Sequence, residues 1–137
     1  MKNVYTWAAK PAKRSTTVGD LKAAKGKKKF TQVTANTIDE AAAAEKAGFD
    51  MIIANAKNVV PARKGSKNLF LTAALVLNEF VTADDIMRGA FKALENGADA
   101  VMTPRSMDIV EMLAKEDVPV MGPVSYTHLT LPTIVGV

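Results

Sequence analysis

One junction recurs in this chain and limits its possible folds more than any other feature. A glycine, a spacer and an aspartate precede an apolar run at residues 48–53 (GFDMII) and again at residues 97–101 (GADAV), and Asp117 stands in the same place before residues 118–121. Continuous apolar runs are typical of strands buried on both faces of a parallel sheet. A glycine at this point ends a helix. The repeated order of helix, tight turn and strand therefore predicts right-handed βαβ units.

Helix-start signals lie between the predicted strands. Thr37 and Glu40 have the spacing of a capping box, in which each side chain hydrogen-bonds the backbone N–H of the other residue. Thr82 and Asp85 mark a second helix start, and Ser106 is the expected N-cap of a third. Residues 55–68 are basic and contain Pro61 and Gly65, so we expect a loop there with at most one weak helical turn. Strands are predicted at residues 30–35, 51–54, 69–75, 100–103 and 118–121.

Length decides between two α/β architectures. A complete (β/α)8 barrel needs about 250 residues, whereas this chain has 137 residues and offers about five strands. A small open doubly wound sheet is the alternative. Such a sheet, if it bound a nucleotide, would normally carry a Gly-rich phosphate turn, and no G-x-G-x-x-G or Walker sequence is present. We therefore predict that residues 30–122 form the N-terminal portion of a (β/α)8 TIM barrel.

Composition excludes several classes of site. The sequence has no cysteine and one histidine, so disulfides, thiolate metal sites and sites with two imidazoles are excluded.

Without a signal peptide or an apolar run of about 18 residues, we expect a cytoplasmic protein with no membrane association. Half of the 18 Lys and Arg residues lie in residues 1–29, predicted to be a solvated, partly mobile basic leader. No nucleic-acid motif accompanies it, so a nucleic-acid partner is not expected, although binding to a polyanion remains an alternative.

Six segments carry a resemblance to a known family, in the same order. They are residues 17–21 (TVGDL), 33–35 (VTA), 47–53 (AGFDMII), 81–86 (VTADDI), 97–101 (GADAV) and 118–122 (VPVMG). These segments resemble the motifs T-V-x-D-L, L-T-A, A-G-x-D-x-I-L-V, V-T-x-x-x-(I/M), G-A-D-A-V and I-P-V-M-G-H of ketopantoate hydroxymethyltransferase (3-methyl-2-oxobutanoate hydroxymethyltransferase).

The resemblance implies a fold and a reaction. The family is a Mg²⁺-dependent TIM barrel of the phosphoenolpyruvate mutase and isocitrate lyase type, and it acts in pantothenate biosynthesis. Its metal chelates a small 2-oxo acid and makes the C3 proton more acidic, as a Lewis acid does. The resulting enolate attacks the one-carbon unit of methylenetetrahydrofolate, the co-substrate. The resemblance also implies a homo-oligomer for the full-length protein.

The chain departs from the family at its metal site. A family aspartate that binds the metal is replaced by Asn55, which keeps an oxygen but loses the charge, so Mg²⁺ affinity should fall. Asn55 is nevertheless the position implied for the metal and for the substrate. The family's catalytic base lies in its second half, so the catalytic residues here are unknown, and we expect this fragment itself to be inactive. The alternative is a non-catalytic barrel-derived module that binds a small carboxylate or a partner protein.

Three other residues at predicted strand ends are candidates for substrate binding. Arg105 follows a strand and precedes a helix N-terminus, where a cation and free N–H groups could hold a carboxylate or phosphate. Asn36 and Thr103 lie at comparable strand ends, and cap or strand-forming roles are the alternatives for them. Asp50, Asp99 and Asp117 fall at the opposite ends of the strands, where we expect them to stabilise turns.

The last 15 residues do not continue the family pattern. Residues 123–137 have no helical periodicity and resemble a translated adapter sequence. We therefore hypothesise that this tail is foreign, and that His128 within it has no function.

Overall fold

The computed structural model describes residues 1–122, so the hypothesis about the tail concerns residues outside the described part. The helices are α1 (Val18–Ala23), α2 (Ile38–Ala47), α3 (Val59–Gly65), α4 (Ala83–Glu95) and α5 (Met107–Lys115), and a 3-10 turn, Ala56–Asn58, precedes α3. The strands are β1 (Lys2–Tyr5), β2 (Pro11–Arg14), β3 (Gln32–Thr34), β4 (Met51–Asn55), β5 (Phe70–Ala74), β6 (Ala100–Met102) and β7 (Val120–Met121).

Strands β3 to β7 form one parallel sheet, and their spatial order is their order in the sequence. Each strand pairs with the one before it; Met51 is opposite Phe70, for example, and Thr72 is opposite Ala100. In a doubly wound sheet the order reverses at a switch point. The described residues contain no reversal, so the alternative of a doubly wound sheet was wrong, whereas the predicted α/β class with a parallel sheet is confirmed.

The helices α2 to α5 all cover the same face of this sheet. Their buried side chains pack against the outward-facing strand residues Ile52, Leu71 and Val101, each of which is fully buried. On the opposite face, Met51, Phe70 and Ala100 contact Val18 and Leu21 around α1. Helices ranged along one face of a sequential parallel sheet are the arrangement found in a β/α barrel. The fold is thus consistent with part of such a barrel.

The predicted capping box at the start of α2 is confirmed, and the predicted start of α4 has one as well. Thr37 Oγ1 accepts the N–H of Glu40 at 3.1 Å, and Glu40 accepts the N–H of Thr37 at the same distance. Thr82 and Asp85 make the same pair of hydrogen bonds. The backbone N–H of Thr82 is the main cause that holds the pKa of Asp85 below its usual value. These bonds satisfy donors that a helix N-terminus would otherwise leave unpaired.

Residues 1–29, expected to be a solvated, partly mobile basic leader, are largely exposed but contain regular secondary structure. Strands β1 and β2 form an antiparallel hairpin, and α1 follows with a capping box between Thr17 and Asp20. The Arg14 side chain at the end of β2 is buried by its contacts with the sheet. Lys2 donates a hydrogen bond to Asp20, which is the main reason that the pKa of this carboxyl is lowered.

The predicted loop at residues 55–68 was also wrong, because α3 lies there. Pro61 falls in the first turn, where a helix tolerates proline. Gly65 lies against α2 so closely that a Cβ at this position would overlap the carbonyl oxygen of Ile38 and come within 2.9 Å of the Ala41 Cβ. The contact between two helices, rather than a turn, explains the glycine.

Candidate functional site

Two asparagines from neighbouring strands meet at the carboxyl edge of the sheet. Asn36 follows β3 and Asn55 ends β4. The Asn36 Oδ1 accepts the backbone N–H of Asn55 at 2.8 Å and the side-chain amide of Asn58 at 3.1 Å. The structure therefore brings two of the sequence-predicted site residues together and adds Asn58 to them.

Both asparagine side chains also shape the backbone around them. Asn55 Oδ1 accepts the N–H of Lys57 at 3.1 Å and so begins the 3-10 turn. The backbone N–H of Asn36 donates to Glu40 at 2.6 Å. The amide oxygens of Asn36 and Asn55 thus both accept hydrogen bonds within the protein. The bond from the Asn55 N–H to Asn36 Oδ1 fixes the relative positions of the two strand ends.

Two cations at this edge contact the loop that follows β5, residues 75–82, which we call the β5 loop. Lys57 Nζ lies 3.1 Å from Glu79 Oε1, and the two side chains are 63% and 32% exposed. Arg105 donates from its guanidinium to the carbonyl oxygen of Val81 at 2.9 Å. The predicted site residue Arg105 therefore reaches over the β5 loop.

Thr103, the fourth predicted site residue, lies in the interior of the protein. Its side chain is fully buried, and Thr103 Oγ1 accepts the N–H of Arg105 at 3.2 Å. Hydroxyl-to-backbone bonds of this kind stabilise turns. In this arrangement Thr103 shapes the turn that carries Arg105, and its burial leaves it no open path to a ligand.

The residues at the edge do not by themselves fit a magnesium ion. Mg²⁺ prefers carboxylate and water oxygens in near-octahedral geometry. Within residues 1–122, no group of three or more His, Asp or Glu side chains is close enough to hold a metal. Asn55 Oδ1 accepts a backbone N–H, and the nearby carboxylate of Glu79 is paired with Lys57.

Sequence reasoning missed Lys57 and Asn58 at this edge. Both residues lie within three positions of Asn55, in the segment where the sequence predicts a loop with at most one weak helical turn. Their place immediately after a buried strand was the signal that could have identified them, because the carboxyl ends of parallel strands carry the binding residues in α/β folds.

The opposite edge holds a buried ionic cluster with a structural role. Arg14 Nε donates to both Asp99 oxygens, at 2.9 and 3.0 Å, and Arg63 donates to Asp99 Oδ2 at 2.9 Å. The backbone N–H of Leu71 adds a hydrogen bond of 3.0 Å. Burial lowers the pKa of the Arg63 guanidinium to about 10, although Asp99 opposes the shift. Asp99 thus stabilises the turn before β6, as expected.

No family model matches the chain. Its fold is similar to that of a rubisco-like protein from Burkholderia fungorum, with a TM-score of 0.57 and 13% sequence identity over 91% of this chain. The match covers 39% of that protein's chain, so this chain spans about two-fifths of its length. The likeness concerns the fold alone. No helix among residues 1–122 has the length and apolar character needed to cross a bilayer.

Proposed function

We propose that residues 30–122 form the first five strands of a (β/α)8 barrel enzyme similar to ketopantoate hydroxymethyltransferase, and that the carboxyl edge binds a small 2-oxo acid. The sequential strand order and the layer of helices α2 to α5 on one face support the barrel. The hydrogen bond of 2.8 Å between Asn36 Oδ1 and the Asn55 N–H carries the proposal for the site, because it joins two strand ends where barrel enzymes bind their substrates.

The chemistry of the edge suits an anionic ligand. Asn55 and Asn58 supply amide groups, Lys57 supplies positive charge beside them, and Arg105 supplies a second cation at the same edge, where it binds the β5 loop. Charge-assisted hydrogen bonds to a carboxylate are shorter and stronger than neutral ones. In this proposal the amides orient the 2-oxo acid, and a cation binds its carboxylate.

The proposed reaction transfers a one-carbon unit from methylenetetrahydrofolate to C3 of the 2-oxo acid. A base must first take the C3 proton. Glu40 and Glu79 lie at this edge, but Glu40 accepts the backbone N–H of Asn36 at 2.6 Å and Glu79 is paired with Lys57. We therefore assign the base to strands beyond β7 in a longer chain. The described residues do not fit Mg²⁺ by themselves, and no step is derived through a metal here.

A non-catalytic module that binds a small carboxylate is the second candidate. The engagement of the described carboxylates favours it, since an enolising enzyme needs a free base, whereas Glu40 accepts the N–H groups of Asn36 and Thr37 and Glu79 is paired with Lys57. Both candidates share the carboxylate ligand and differ in whether chemistry follows binding.

Titration of the 137-residue chain with 3-methyl-2-oxobutanoate, followed by ¹⁵N NMR, tests the shared site. We expect the largest shifts at the backbone amides of Asn55, Lys57 and Asn58. Asn55→Ala should abolish them, while Asn3→Ala, in the hairpin at the other end of the molecule, should not. Shifts that are absent, or confined to the hairpin, would contradict both candidates.

Deuterium exchange separates the two candidates. A chain extended by the natural continuation of its reading frame is incubated with 3-methyl-2-oxobutanoate in D2O, with and without Mg²⁺. Exchange at C3 above the rate of the buffer supports the enzyme. Binding without exchange supports the module.

A further inference from the structure

The β5 loop brings its own carboxylate to the proposed binding edge. We propose that Lys57 is the cation that binds the ligand carboxylate, and that Glu79 pairs with it when no ligand is present, so that the ligand binds by exchange with Glu79. This inference rests on the proposed function, because it concerns how the same edge takes a 2-oxo acid.

Lys57 belongs to the asparagine cluster by its backbone. Its N–H donates to Asn55 Oδ1 at 3.1 Å, and the next residue, Asn58, donates to Asn36. Asn55 is opposite Ala74, the last residue of β5, in the sheet. The 3-10 turn and the β5 loop therefore start from adjacent strand ends, and the Lys57 side chain spans the gap between them to reach Glu79.

Contacts on the β5 loop fix the position of Glu79. The N–H groups of Glu79 and Phe80 donate to the carbonyl oxygen of Val76 at 3.3 and 3.1 Å. The Phe80 ring packs directly over Gly89 of α4, where a Cβ would overlap the ring. Arg105 binds the carbonyl oxygen of Val81. These contacts do not involve the Glu79 carboxylate, so they can persist when Lys57 exchanges partners.

The exposure of the pair makes the exchange inexpensive. Lys57 and Glu79 are 63% and 32% exposed, and exposed ion pairs contribute little to stability because water screens both charges. The buried arginines at the other edge are different, since Arg14 and Arg63 share Asp99 and backbone carbonyls and are almost inaccessible. Lys57 is therefore the better placed to accept a new carboxylate.

Affinity for 3-methyl-2-oxobutanoate in four variants of the 137-residue chain tests the exchange. Glu79→Gln removes the internal competitor and should tighten binding about fivefold, which is near the upper limit for an exposed pair. Lys57→Met should weaken binding at least about fivefold. Glu111→Gln and Lys115→Met break a matched exposed pair on α5, with N and O atoms 3.3 Å apart, and should leave binding unchanged.

The double variant Lys57→Met/Glu79→Gln shows whether Glu79 acts through Lys57. We expect it to bind no more tightly than Lys57→Met, so that the two effects are not additive. Wild-type binding that neither Glu79→Gln nor Lys57→Met alters would overturn the exchange and leave the proposed function intact. Absence of binding by both the wild type and Glu79→Gln would overturn the two together. Binding by Glu79→Gln alone would support the exchange.

Discussion

Arg14 and Asp99 are 85 positions apart in the chain, and their side chains form an ion pair in which Arg14 Nε lies 2.9 Å from Asp99 Oδ1. The pair attaches the amino-terminal hairpin to the turn before β6. Arg63 donates to Asp99 Oδ2, so a single carboxylate pairs with two buried guanidinium groups. The integrity of this edge therefore depends on Asp99 more than on either arginine.

Asp99→Asn is expected to lower the free energy of unfolding by about 3 kcal/mol, since removal of one partner leaves buried charges without compensation. Urea denaturation followed by far-UV circular dichroism measures the change. Asp117→Asn is the matched control, because Asp117 also precedes a strand but is exposed. A loss of less than about 1 kcal/mol for Asp99→Asn would show that the cluster contributes only as a surface pair does.

Gly65→Ala should destabilise the protein by about 2 kcal/mol or more, because the new methyl group has to displace the backbone of α2 at Ile38. Gly19→Ala in α1 is the control. Its Cβ would lie 3.7 Å from Thr17 Oγ1, an ordinary contact, so stability should stay the same or rise. Thermal denaturation of both variants compares them, and equal stabilities would contradict the close approach of α2 and α3.

The capping box of α4 predicts a dependence of stability on pH. The pKa of Asp85 is lowered in the folded state, so the stability that it contributes is complete above its unfolded pKa, near 3.8, and is lost as the pH falls through the lower folded value. Asp85→Asn should therefore flatten the decline in stability below pH 4. Asp84→Asn removes a charge from the same turn but keeps the bond to Thr82 and serves as the control. Urea midpoints between pH 2 and pH 6 measure the effect, and identical profiles for Asp85→Asn and the wild type would contradict it.

Substitutions at Asn36 separate the structural and ligand-binding roles of the carboxyl edge. Asn36→Ala leaves the Asn55 N–H without its acceptor and should lower stability by about 1 to 2 kcal/mol. Asn36→Asp keeps an acceptor oxygen, so it should hold its stability while its negative charge weakens 2-oxo acid binding. Urea denaturation measures the stability of both variants, and titration with 3-methyl-2-oxobutanoate measures their affinity for the ligand. Unchanged binding by Asn36→Asp would place the ligand away from Asn36.

The sheet could be predicted from the sequence because its signals are local. The buried residues of the strand Met51–Asn55 are all apolar. The capping box of α2 is formed by Thr37 and Glu40, which are three positions apart. Asn36 and Asn55 could be placed at strand ends from the sequence, but the hydrogen bond between them was not predicted. The predicted features need no knowledge of distant contacts.

The missed features depend on long-range partners. The hairpin is attached to the sheet through Arg14 and Asp99, a residue 85 positions away, so the basic sequence of the hairpin alone does not reveal this contact. Helix α3 contains Pro61 and Gly65, which argue for a loop until the crossing with α2 is known. The ion pair between Lys57 and Glu79 likewise could not be predicted, because it joins two segments that are 22 positions apart in the chain. The catalytic base of the resembled family stays a prediction about strands beyond β7 in a longer chain.

The sequential order of the parallel strands has a consequence for synthesis on the ribosome. Each strand after β3 pairs with the strand made just before it. The sheet can therefore grow strand by strand during translation, because no strand has to wait for a partner from a distant part of the sequence. The hairpin is the exception, because the ion pair between Arg14 and Asp99 attaches it to the sheet and cannot form until Asp99, just before β6, has been synthesised. The hairpin thus leaves the tunnel before β6 but is fixed in place only after it.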